Sequence, residues 1–126
     1  MSKRVLDVGN CGPDFGAVSR FLAGRFGCEV VQAHGADDAL QVLRRGAIDL
    51  VLVNRKLDAD YSDGIEVIRQ IKADSAIGDV PVMLITNYTE HQAAAEAIGA
   101  LRGFGKLEFE KPETLARLEP ILGAAK

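Results

Sequence analysis

Five short apolar runs, each separated from the next by a stretch with helical spacing, limit the folds open to this chain more than any other feature. The runs Val5 to Val8, Glu29 to Ala33, Leu50 to Val53, Val80 to Ile85 and a weaker Leu101 to Gly105 are of strand length and carry β-branched residues. Between the first two, Phe15, Val18, Leu22 and Phe26 share one helical face, and Gly27 follows as a stop. Ala36, Leu40 and Leu43 make the inward stripe of the second helix before Gly46. The third uses Ile65, Ile68 and Ile71, interleaved with Glu66, Arg69 and Lys72 facing water. Thr89 and Gln92 have the spacing of a capping box opening the fourth helix, which closes at Gly99. The last helix starts at Pro112 and turns Leu115, Leu118 and Leu122 inward, while Pro120 predicts that it ends early or kinks. Gly103 and Gly105 take packing side chains away from the fifth strand. Alternating βα units of this size imply a parallel sheet with right-handed crossovers and helices on both faces. Reactive groups in such a sheet lie beyond the carboxyl ends of the strands, where strand order reverses.

Composition narrows the classes of function. A chain of 126 residues, 48% hydrophobic and 26% charged, makes one domain that can bury a single core without disulfides or metal. The net charge of -3 comes from 15 basic and 18 acidic residues scattered along the chain, so no basic stripe suits a phosphate backbone. Nucleic-acid binding is not expected. No apolar run approaches the roughly 20 residues of a bilayer-spanning helix, and the amino terminus lacks a signal-peptide pattern. No membrane role and a cytoplasmic location are therefore expected, with Cys11 and Cys28 as reduced thiols.

The strand ends carry Gly9, Asn10 and Cys11, then Asn54, Arg55 and Lys56, then Thr86 and Asn87, and lastly Lys106. The strand layout, the Asp63-Gly64 step opening the third helix, Thr86 closing a strand and Lys106 after Gly99-Ala100 together resemble the receiver domain of bacterial two-component response regulators. The likeness spans the whole chain. It implies an α/β, flavodoxin-like (βα)5 fold with a five-stranded parallel sheet, as one receiver-like domain over residues 1–126. It also implies a phosphoacceptor aspartate where Asn54 stands, an acidic pair where Gly9 and Asn10 stand, a hydroxyl at Thr86 and a lysine at Lys106. A Lys-Pro pair occurs only at Lys111-Pro112, so Lys111 competes for the lysine position, although spacing favours Lys106. The aromatic that swings on activation belongs three residues before the lysine, where Gly103 stands, with Phe104 displaced by one.

A working receiver needs a carboxylate that attacks a phosphoryl group and oxygen ligands that hold magnesium against the gathering charge. An amide does neither well. The implied molecule is a pseudo-receiver with no catalytic residue, no metal and no cofactor. It would be a protein-interaction module using the face built by the fourth helix, fifth strand and fifth helix, Thr89 to Ile98 and Leu101 to Leu122. A homodimer is one possible partnership. The alternative is a regulatory domain that binds a small anion or metabolite near Thr86 and Lys106, where Arg55 and Lys56 add positive charge. Asp7 is expected to stay out of the site, because it lies inside the strand, two residues short of its end. Asp58, Asp60 and Asp63 lack the glycine and distal glutamate of an EF-hand and read as turn formers, with Asp63 capping the third helix. Ala17 occupies the arginine position of a Cys-x5-Arg loop from Cys11, and neither a G-x-G-x-x-G nor a P-loop pattern occurs. His34 and His91 read as ordinary surface histidines.

Overall fold

Side-chain alternation draws the five apolar runs into one parallel sheet. In the computed structural model, which describes residues 2–126, the strands are β1 (Arg4–Val8), β2 (Glu29–Ala33), β3 (Leu50–Asn54), β4 (Val82–Ile85) and β5 (Leu101–Phe104). The helices are α1 (Gly12–Phe26), α2 (Ala36–Arg44), α3 (Gly64–Ala73), α4 (Thr89–Ala97) and α5 (Pro112–Leu122). The strand order is β2-β1-β3-β4-β5 with every pair parallel, which is the flavodoxin-like receiver arrangement. Order reverses between β1 and β3, so the mouth of the sheet lies above those two central strands.

Each face of the sheet has its own core. Leu6, Val8, Val51, Val53, Val82 and Leu84 pack beneath α2, α3 and α4. Val5, Leu50, Leu52, Met83, Ile85 and Phe104 pack beneath α1 and α5, against Phe21, Leu22 and Leu118. Phe104 meets Phe21 and Phe109 edge-on at centroid distances of 6.3 and 6.0 Å, so this side holds an aromatic cluster as well as aliphatic residues. With no bilayer-length apolar stretch, none of the helices among the described residues is long and apolar enough to cross a membrane.

Local signals hold at most element ends and fail at two. Asp63 caps α3 as expected, its Oδ1 accepting from the Ile65 amide at 3.0 Å. Pro112 opens α5. The capping box at Thr89 and Gln92 does not form: Tyr88 is the N-cap, no side chain caps the helix, and Gln92 turns into the core. Pro120 does not end α5 early either, since the helix continues to Leu122. Pro120 has no N–H for the Ala116 carbonyl and its ring crowds that carbonyl, and burial of Leu118 and Leu122 on one face offsets the cost.

Candidate functional site

Alternation decides which side chains reach the mouth. Asp7 sits beside Leu52 in the β1–β3 register, on the same sheet face as Leu50 and Leu52, and Asn54 lies two residues further along that face. The strand stops at Val8, so Asp7 is one residue from its end and fully buried. Gly9 then adopts φ +85°, a left-handed conformation that only glycine takes without strain. A Cβ there would run into the Leu57 side chain. The Gly9 amide donates to the Ala33 carbonyl and its carbonyl accepts from Asp58, both at 2.9 Å, which fixes this turn from two sides.

The turn sends the Asn10 side chain back beneath the mouth. Its Nδ2 donates to both carboxylate oxygens of Asp7, at 2.7 and 2.9 Å. Asn10 is 1% exposed, and its Oδ1 has no hydrogen-bond partner. Burial pushes the Asp7 carboxyl up to about 6, with Asn10 donation and the Lys106 charge pulling it back and the Asp14 charge adding to the rise. Lys106 Nζ donates to Asp14 Oδ2 at 2.7 Å. That bond, helped by one from Cys11, holds the Asp14 carboxyl below its ordinary value against a smaller effect of burial. Asn54 uses its amide locally, Nδ2 donating to the Lys56 carbonyl at 2.6 Å. Thr86 Oγ1 accepts from the Tyr88 amide at 3.2 Å. Lys111 lies only 3.9 Å from Glu108 and joins none of these groups.

Asn10 and Lys106 thus come together around two carboxylates, while Asn54 and Thr86 make their bonds to near neighbours. Asp7 and Asp14 were not expected at the mouth. A carboxylate inside the apolar run Val5-Leu6-Asp7-Val8 was the signal for the first, because a buried strand admits a charge only beside a partner. Part of the positive charge expected there is offset, since Lys106 is matched by Asp14 and faces the field of Asp7, whereas Arg55 and Lys56 form no ion pair among the described residues.

The model of the response regulator receiver domain matches residues 15–119. The chain belongs to the receiver domain family. That match begins beyond β1 and the Gly9-Asn10 turn. Receiver structures superpose along almost the full length: the chemotaxis protein CheY4 of Vibrio cholerae does so over 97% of this chain and 100% of its own, at 24% identity and a TM-score of 0.77. A protein from Chloroflexus aurantiacus J-10-fl aligns over 97% of this chain and 98% of its own, at 21% identity and a TM-score of 0.81. NtrX from Brucella abortus shares 26% identity over 97% of this chain at a TM-score of 0.77, but the match spans only 27% of NtrX. Receiver domains serve two-component signalling, and this chain has their fold in full.

Proposed function

We propose that this receiver is degenerate: it has given up phosphoryl transfer and acts as a phosphorylation-independent protein-interaction module. The observation that carries this reading is the backbone of the acid-pair turn, with Gly9 at φ +85° and Asn10 folded back on Asp7. A divalent ion in the mouth needs inward-facing oxygen ligands. The residues here do not fit one: Gly9 has no side chain, Asn10 presents N–H groups towards Asp7, and Asp14 is bonded to Lys106. Among the described residues no three His, Cys, Asp or Glu side chains gather in a metal-binding arrangement. Asn54 has no anionic oxygen to attack phosphorus. What remains is an intact core with the face of α4, β5 and α5 available to a protein partner, including a second copy of the chain.

Adding beryllofluoride with magnesium while following amide shifts tests this reading. No saturable change around Asn54 is the expected result, and a saturable one overturns it. The anion-binding alternative draws on Arg55, whose enclosed Nε has no partner, but Lys106 is already engaged by Asp14. Thermal stability across a panel of phosphate-containing compounds separates the two, because a ligand bound only to the folded state raises the melting temperature.

A further inference from the structure

The β4–β5 ladder is broken at one point. Met83 pairs with Leu101 and Ile85 with Phe104, so two steps along β4 oppose three along β5 and the extra residue falls at Arg102 and Gly103. Such a bulge leaves strand amides and carbonyls without ladder partners, and buried backbone groups need partners. Two helix side chains supply them. Gln92 of α4 donates from Nε2 to the Leu84 carbonyl at 2.9 Å and the Thr86 carbonyl at 3.3 Å. Its Oε1 accepts from the Gly103 amide at 2.8 Å. Arg117 of α5 donates to the Gly103 carbonyl at 3.0 Å. Both backbone groups of one residue are therefore held by side chains from two different helices.

The orientation of the Gln92 amide is not open to choice. Two of its neighbours are carbonyls that only accept and the third is an N–H that only donates, so a flipped amide would break all three bonds. Gln92 is 3% exposed, which makes such a loss costly. Gly103 is equally constrained, because a Cβ there would run into the Leu84 carbonyl. Phe104, the nearest aromatic, is 1% exposed and locked among Phe21 and Phe109.

We infer that Gln92 and Arg117 staple the β5 bulge and hold α4, β5 and α5 as one rigid unit whose arrangement does not depend on the Asn54 pocket. The independence rests on the pseudo-receiver reading; the staple does not. The Gln92 and Arg117 bonds miss Asn54, Asn10 and Asp7 and meet the mouth only at the Thr86 backbone carbonyl, so a change of side chain at the mouth leaves them in place. A partner of this face would meet a surface already in its binding arrangement and would lose little entropy in ordering it.

Amide hydrogen exchange on the intact domain reads the staple. In the natural chain the Gly103 amide exchanges as slowly as the amides of β4. Gln92→Ala speeds exchange at Gly103 on the order of tenfold or more, and β1 and β3 amides keep their rates. Gln92→Glu keeps an acceptor for Gly103 but has no N–H for Leu84 and Thr86, so intermediate protection is expected. Arg117→Met leaves the Gln92 bonds in place and covers the case in which Gln92→Ala does not fold; it brings on microsecond-to-millisecond exchange broadening in β5 and the first turns of α5. A natural Gly103 amide as fast as exposed loop amides, or no change in any variant, overturns the staple. Titration with beryllofluoride and magnesium then separates the two readings. Shifts at Asn54 that stop short of Gly103 sink the inert pocket and leave the independence standing. Shifts at both positions overturn the independence.

Discussion

The β1–β3 mouth and the β4–β5 corner of this receiver are held together in different ways. At the mouth, most side-chain bonds are local: Asn10 to Asp7 spans three residues, Asn54 to Lys56 two, and Thr86 to Tyr88 two, with Lys106 to Asp14 the exception. At the corner the bonds join separate elements, Gln92 to Gly103 across 11 residues and Arg117 to Gly103 across 14. Local bonds fix the shape of a turn and tell distant elements nothing. Bonds between elements hold the tertiary arrangement, so the two regions should respond differently to mutation.

The largest effect is expected at the corner. Phe104→Ala removes the centre of the aromatic cluster, and urea denaturation should show a loss of about 3–5 kcal/mol, the range for buried aromatics. A loss under 1 kcal/mol would erase the contrast between the regions. The next effect belongs to Asp7 and has a sign. Its carboxyl lies at about 6 in the folded chain against 3.8 when unfolded, so the folded state holds the proton more tightly. The stability this contributes is complete below 3.8 and is lost as pH rises through about 6. Unfolding midpoints for the natural chain and Asp7→Asn, measured from pH 4 to 8, should diverge by at most about 3 kcal/mol, with the variant the more stable at pH 8.

Gly9→Asp comes third. A left-handed non-glycine residue costs on the order of 1–2 kcal/mol, and the collision with Leu57 adds to it, so chemical denaturation should show a clear loss. Lys106→Met should cost under about 1 kcal/mol, because its partnership with Asp14 is partly open to water. Smallest of all, Asn54→Asp should gain no mass on incubation with a small phosphodonor, since the turn still offers no seat for a metal. Robust labelling of that single variant would overturn the pseudo-receiver reading.

Most of the fold could be read from the chain because apolar spacing answers to burial, and burial shapes every element. Glu29 to Ala33 was delimited to the residue, and the other strands were placed within two. The failures came where one residue had two competing partners. Gln92 suits a capping box by spacing, yet the unpaired backbone of a bulge cannot be seen without knowing how β4 and β5 align. Pro120 follows a sound local rule that a well-buried helix face outweighs. The sequence places Asn54, Gly9, Asn10, Thr86 and Lys106 at or just beyond strand ends, as the structure does, but it does not reveal what they touch. Its place along the strand argues for keeping Asp7 out of the site, whereas its face of the strand and a one-residue difference at the strand end decide its surroundings.

Gly9 has a bearing on descent as well as on chemistry. Because its turn is left-handed and tied to Ala33 and Asp58, an acid introduced there by a single codon change meets backbone strain and the Leu57 side chain. On the pseudo-receiver reading, a route to an acidic pair therefore runs downhill in stability before it can gain any function, much as a ratchet tooth resists reverse rotation.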